Sequence, residues 1–380
     1  MKNSVSYRVS RANVSGLCVL IAGLFLCLPF RSHSQQSVSD STDYSNANIV
    51  LPAISSSPET SLLFGGVAIR QFKPGESQDD TRSSMLMFSA IYTLKNQVSI
   101  GLQPSVYLPG ESWLVEGMYS FTFFPDSFWG IGRNTLEEDE MKVISRQLFL
   151  QQGVLKKVYN HLFMGPQFRW TSTYDIRFED MEGDIIANPS VTGAEGYRGL
   201  GMGVMLRLDD RNRSTTPTSG GLYQISLLHN PSFISSGATY TSYLADGRRY
   251  IDVSGNGRSV LGFHGVMQSR TGSPPFMDMA ALGGESIMRG YYAGRYRDNH
   301  AAQFQTEFRQ HVIGRFGFTL FAAAGQVWHS FDDMNLDRTL WSGGGGLRFN
   351  LNKKDPINIR MDMAFGRNIS GFYFTLGEAF

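Results

Sequence analysis

Ala301-Ala302-Gln303-Phe304-Gln305-Thr306-Glu307-Phe308-Arg309-Gln310-His311-Val312-Ile313 alternates with a period of two. Gln303, Gln305, Glu307, Arg309 and His311 make one face polar, whereas Phe304, Thr306, Phe308 and Val312 fall on the other. Successive side chains of a strand point to opposite faces, so the stretch reads as a strand with one wet and one dry face. Residues 357–365 repeat the pattern, with Ile357, Ile359, Met361, Met363 and Phe365 set against Asn358, Arg360, Asp362 and Ala364. In 162–178, Met164, Phe168, Trp170, Tyr174 and Ile176 oppose Gln167, Arg169, Thr171, Thr173, Asp175 and Arg177. A soluble antiparallel sandwich alternates equally well. The compartment has to separate a sandwich from a membrane barrel.

The first residues supply that compartment. Lys2, Arg8 and Arg11 precede an apolar run from Leu17 to Phe30, and Ser32-His33-Ser34 offers small residues before Gln35. This is the layout of a secretory signal, so residues 1–34 are expected to be removed near Ser34. The run is shorter than the ~20 residues that cross a bilayer as a helix. Cys27 raises a lipoprotein alternative, but Leu24, Phe25 and Leu26 before it are bulkier than such processing accepts. Both cysteines, Cys18 and Cys27, lie in this segment. The exported chain therefore has no disulfide, thiolate-bound zinc or thiol catalysis. No second long apolar run follows, so membrane residence must come from strands.

Composition agrees with a barrel. Charged residues are 18% of the chain, against about 25% in an average soluble domain, while aromatics reach 13% and Gly numbers 41. Such a balance suits a wall with lipid on one face and water on the other. The net charge of +1 and the lack of any Lys/Arg-rich run give no support for a nucleic-acid partner, and none is expected.

Residues 35–58, rich in Ser, Asn and Asp, read as a short polar linker. From 59 to 380 the chain divides into period-2 segments separated by turn chemistry, predicting an all-β, transmembrane antiparallel β-barrel. The candidate strands are 60–72, 82–94, 97–107, 111–122, 141–156, 159–175, 197–209, 220–231, 238–252, 256–268, 301–313, 316–327, 338–349, 357–366 and 370–380. Single-chain bacterial barrels have even strand numbers, short periplasmic turns and longer outside loops. Parity then asks for one more strand near Ile49 to Ile54, giving sixteen; fourteen is the alternative. If the last strand descends to the periplasm, 123–140, 176–196, 269–300 and 328–337 lie outside.

Five motifs follow in order. They are Leu208-Asp209-Asp210-Arg211-Asn212 with Pro217 and Gly220; Gly283-Gly284 with Met288-Arg289-Gly290-Tyr291; Glu307-Phe308-Arg309; Phe321 to Trp328; and Gly371 to Phe380. Together they resemble the hairpin, the sixth extracellular loop, the E-x-R strand, the following strand and the closing strand of the outer-membrane assembly-factor superfamily, the BamA/TamA type also called bacterial surface antigen. The resemblance is specific over about 195–380 and looser over 59–194. Ala323 stands where that family usually has Asp, and the residues before 59 leave no room for its periplasmic POTRA domains.

The resemblance implies that the Arg289-Gly290-Tyr291 loop folds back into the barrel. Arg289 would then be a buried guanidinium in need of a carboxylate, because a lone desolvated charge is prohibitive. Glu307 faces the same lumen by the period-2 count, with Arg309 beside it. Gly290 would let the backbone approach the wall closely. Asp209, Arg211, Pro217 and Gly220 would make a tight hairpin. Arg169, Asp175, Arg177, Arg207, Arg309, Arg348, Arg360 and Asp362 are all expected on lumen faces, as a clamped network of mixed sign rather than an ion path. Gly371, Phe374, Leu376 and Phe380 belong to the closing strand, where Phe372, Phe374, Leu376 and Phe380 fall on one face as a folding signal and Glu378 interrupts them.

Three function classes compete. The resemblance implies assembly or translocation of outer-membrane proteins, with lipid, client barrels and periplasmic accessory proteins as partners. A passive accessory barrel or narrow pore is the second class. The third, an enzyme, has little behind it: His229, His264 and His311 come with no G-x-S-x-G, no H-E-x-x-H and no paired carboxylates. No catalytic residue, metal site or cofactor is expected, and Gly343 to Gly346 read as close packing in a strand.

Overall fold

The computed structural model describes residues 46–75, 81–351 and 357–380. The signal expected over 1–34 lies outside them. Sixteen long strands form the wall: β1 Asn46–Ser57, β2 Ser61–Phe72, β3 Ser84–Thr93, β4 Val98–Tyr107, β5 Trp113–Phe123, β6 Met141–Tyr159, β7 Leu162–Glu179, β8 Tyr197–Asp209, β9 Gly220–Asn230, β10 Tyr240–Asp252, β11 Ser259–Gly272, β12 His300–Ile313, β13 Phe316–Trp328, β14 Leu340–Asn350, β15 Asn358–Gly366 and β16 Ile369–Leu376. Each pairs antiparallel with the next in sequence, and β16 returns to β1, closing a 16-strand barrel. Two short strands, Asp126–Phe128 and Ile185–Ile186, extend the sheet into loops.

The linker boundary needs correction. The sixteenth strand expected near Ile49 to Ile54 is present, but it takes in all of 46–57 of the polar linker as β1, in register with β2 from Asn46 opposite Phe72 to Ser57 opposite Ser61. The strand was hard to delimit because its Ser and Asn content masks the apolar Ile49, Val50, Leu51 and Ile54.

The alternation divides wet from dry around the ring. Phe304, Leu320, Leu347, Phe365 and Ile225 are exposed on the outer surface, while Gln305, Glu307, Thr319, Arg360 and Asp362 are buried inside. One expected lumen face breaks its phase. The β6–β7 register shifts between Ile144 and Arg146, and Asp175 opposite takes the left-handed φ of +53°. A bulge inserts one residue and exchanges inside with outside. Phe178 therefore turns inward and is fully buried, whereas Asp175 and Arg177 face out, with Asp175 paired to Arg146 at 2.5 Å.

The ends of the barrel differ. At one end the strands are joined by tight links such as 160–161 and 314–315; the other carries the long segments 124–140, 180–196, 273–299 and 329–339. Phe128, Val143, Phe178, Ala194 and Phe276 pack together near the long-loop end. Phe276 lies 5.1 Å from Phe128 and 5.8 Å from Phe178 between ring centres.

Candidate functional site

The segment 273–299 is anchored inside the wall by apolar packing. Ala280, Leu282, Ile287, Met288 and Tyr291 pack with Val266 of β11, Ala301 of β12 and Ala323 and Val327 of β13. Ala323 thus lies in an apolar contact, where a carboxylate would be buried. Gly283 donates its N–H to Gln303 Oε1 at 3.1 Å, and Gly284 to the Tyr291 carbonyl at 3.1 Å. Gly290 has φ +103°, and a Cβ there would come within 3.1 Å of the Phe365 backbone. Only glycine combines that conformation with that approach.

Next to Gly290, the Arg289 side chain is completely buried. Its two terminal nitrogens donate to Glu307 Oε2 and Asp362 Oδ2, and its guanidinium lies 3.5 Å from the centre of the Phe321 ring. Each carboxylate has a second cation: Glu307 accepts from Arg309 Nε at 2.7 Å, and Asp362 from Arg348 Nη1 at 2.6 Å. Arg360 Nε approaches Asp362 at 3.7 Å. Such alternation compensates the desolvation that isolated charges would suffer. The expected pair of Arg289 with Glu307 is present, and Asp362, which the motifs did not single out as its partner, completes the clamp.

The network continues to the end of β16, where one expectation fails. Phe372 is exposed on the outer face, but Phe380 does not join it. Gly377 takes φ +92°, the chain leaves the strand, and Phe380 is buried in the lumen. It lies 6.0 Å from the Tyr250 ring and 5.0 Å from His264, and its carbonyl oxygen accepts from Arg309 Nη2 at 2.8 Å. Glu378 accompanies it, accepting from Arg348 Nε at 2.9 Å. The interrupting charge is thus a lumen ion-pair partner, while Gly371, Phe374 and Leu376 stay in the strand.

A second charged cluster occupies the short-turn end. Asp209 accepts two bonds at 2.9 Å from Arg211, with Arg207 at 3.5 Å and Arg82 at 3.7 Å. Arg207 also pairs with Glu116, and Arg82 Nε with Glu111 at 2.6 Å. Burial alone would raise the Glu111 carboxyl; the hydrogen bonds and charge of Arg82 outweigh burial and hold it below its usual range. Pro217 is buried in the connecting loop, and Gly220 has φ +84° where a Cβ would lie 2.2 Å from the Asp210 carbonyl oxygen. These residues form a clasped hairpin separate from the Arg289 clamp.

The histidines do not converge. His229 contacts Thr241 at 2.9 Å, His264 lies 3.3 Å from Asp246, and His311 meets the Gly314 carbonyl at 3.1 Å. Among the described residues no group of three or more His, Cys, Asp or Glu side chains is placed to hold a metal ion.

The remaining feature is the junction of β16 with β1. Neighbouring strands elsewhere share long ladders, from Ile359–Leu376 to Gly366–Ile369 between β15 and β16, for example. Across β1 and β16 the described pairing is one position, Ser56 with Phe374. Among the described residues, most of the β1 edge facing the seam has no strand partner.

A family model described as the Omp85 superfamily domain matches residues 164–380. BamA from Haemophilus ducreyi, in a crystal structure lacking POTRA domains 1–3, is similar with a TM-score of 0.58 at 12% identity, over 88% of this chain and 70% of that one. CdiB from Acinetobacter baumannii gives 0.51 at 12% identity over 88% and 59%, and CdiB from Escherichia coli 0.54 at 12% over 86% and 62%. The chain thus spans less than two thirds of either CdiB chain. At these identities the likeness carries the fold alone. No curated protein sequence matches the chain.

Proposed function

Because the chain belongs to the Omp85 superfamily and so to the outer membrane of Gram-negative bacteria, we propose that it inserts or assembles other outer-membrane proteins by opening between β1 and β16. The observation that carries this reading is the single backbone pair, Ser56 with Phe374, at that junction. A net hydrogen bond contributes about 1 kcal/mol. In main-chain pairing, parting this seam therefore costs far less than parting any other neighbouring pair of strands. Once parted, β1 offers a row of unpaired N–H and C=O groups, to which an extended client strand adds by backbone pairing. The role is non-enzymatic: the client forms hydrogen bonds and the wall supplies the template.

A passive wall protein is the alternative, and the paired lumen charges favour it over a general porin, since an open aqueous channel does not suit a lumen crossed by a loop. One experiment separates the two. Ser56→Cys with Phe374→Cys, in a chain without other cysteines, places two thiols at facing positions whose spacing suits a disulfide. Crosslinked barrel should remain folded while outer-membrane protein levels fall, and reductant should restore them. Normal growth and normal levels with the seam fully crosslinked would overturn the assembly reading and leave the passive one.

A further inference from the structure

Four consecutive residues of the lumen loop divide their hydrogen bonds between the two sides of the seam. Gly290 N donates to Tyr373 Oη of β16 at 2.9 Å. Tyr291 Oη donates to the Trp341 carbonyl of β14 at 3.2 Å and accepts from Arg367 N, in the β15–β16 turn, at 2.9 Å. The next two residues reach the opposite side. Tyr292 Oη donates to Asp126 Oδ1, just beyond β5, at 2.6 Å. Ala293 N donates to Glu59 Oε1, in the turn joining β1 to β2, at 2.7 Å.

The first-strand side of this crossing is itself braced. Gln97 Nε2 holds the Glu59 carbonyl at 3.2 Å and the Pro125 carbonyl at 2.8 Å. Lys95 Nζ donates to the Pro58 carbonyl at 2.6 Å and sits 5.5 Å from the Tyr292 ring centre. Tyr373 precedes Phe374 and Glu59 lies three residues after Ser56, and Ser56 with Phe374 is the pair that joins the strands among the described residues. The crossing therefore sits beside that pair.

We infer that residues 290–293 are a strap that holds the seam shut, and that it releases at its Tyr292–Ala293 end. Neighbouring strands stand about 4.8 Å apart, so admitting one client strand would widen the gap by about that much. No hydrogen bond spans such a displacement. One half of the strap must let go. Arg289 ties the loop to β12 and β15 through Glu307 and Asp362, which fixes the Gly290–Tyr291 half to the last strands. Of the strap's own bonds, those to Glu59 and Asp126 are the ones left to part, while Arg295 and Arg297 hold the following residues of the loop to Thr135 and Gly132. Glu59 is thus a positioning residue for the seam.

This inference rests on the proposed opening of the seam, but its test reads the seam directly and not client assembly. Purified full-length Ser56→Cys/Phe374→Cys barrel, with Cys18 and Cys27 replaced, is equilibrated in lipid vesicles against glutathione redox buffers. The effective concentration of the thiol pair is then measured. Glu59→Ala with Tyr292→Phe should lower it about tenfold or more, at roughly fivefold per hydrogen bond lost. Glu59→Gln, which keeps an oxygen acceptor, should stay near the parent, and Tyr373→Phe should change it less than the double variant. Unheated gel mobility establishes that each variant is folded. An unchanged redox equilibrium in a folded Glu59→Ala/Tyr292→Phe barrel would overturn the strap, as would a larger effect from Tyr373→Phe. If the strap responds as expected but a crosslinked seam leaves outer-membrane protein levels normal, the assembly reading fails and the strap stands.

Discussion

Replacing Arg289 by Met tests whether the lumen clamp depends more on its cation or on its carboxylates. The arginine makes two charge-assisted hydrogen bonds, to Glu307 and Asp362, each worth about 1.5–3 kcal/mol. Two considerations reduce their sum. Glu307 retains Arg309 at 2.7 Å and Asp362 retains Arg348 at 2.6 Å, so neither carboxylate is left alone, and the Met stem keeps apolar contact with Phe321. The expected loss is about 3 kcal/mol, the low end for breaking a buried pair. Asp362→Asn should cost more, about 5 kcal/mol, because Arg289, Arg348 and Arg360 would then crowd a neutral amide. Denaturant unfolding in detergent micelles, followed by the mobility of unheated samples, gives both values. Protease treatment of the folded barrel reports whether 273–299 stays in the lumen. The reasoning fails if Arg289→Met costs as much as Asp362→Asn, or if neither changes stability.

Gly290→Ala should destabilise the barrel by about 1–3 kcal/mol, because φ +103° and a contact of 3.1 Å with the Phe365 backbone both oppose a methyl group; a neutral substitution in the same unfolding assay would contradict the geometry. Phe380→Ala should cost about 3 kcal/mol through lost packing on Tyr250 and His264, with lipid-phase partitioning unaltered. Reduced partitioning without lost stability would instead indicate an outward-facing ring. The Glu111 carboxyl is held below its usual range, so its stabilisation is complete above the ordinary carboxylate pKa and disappears as pH falls through the lowered value. Between about pH 7 and about pH 3, the parent should therefore lose more stability than Glu111→Gln, and equal losses would exclude the Arg82–Glu111 pair as the cause.

The wall was legible because a strand writes its faces into adjacent residues. In 301–313 and 357–365 the polar positions are the lumen positions, and turns such as 314–315 mark where strands reverse. The exceptions come from features that a period cannot carry. One bulge at Asp175, opposite Ser145, reverses the faces of β7 beyond it, and although Asp tolerates a positive φ, its presence alone does not mark a bulge. Asp362 was readable as a lumen residue, but its meeting with Arg289 depends on how far a loop reaches across the barrel. Phe380 continues the spacing of Phe372, Phe374 and Leu376 on paper, and three residues after Leu376 suffice to turn it inside. Glu59 lies in a short polar turn with no local signature, and its importance becomes visible only when Ala293 is found beside it.

The loop inside the ring also constrains the order in which the molecule is made. Residues 273–299 join β11 to β12, so both of the loop's ends belong to the wall that surrounds it. A barrel that closed first would have to thread this segment, with its buried Arg289, through a finished mouth against a large desolvation cost. Laying the loop down while β16 and β1 are still apart avoids that step, and Glu307 on β12 is available to receive Arg289 before Asp362 on β15 arrives. Closure of the seam is then the last event of folding, and the strands that meet last share the least pairing.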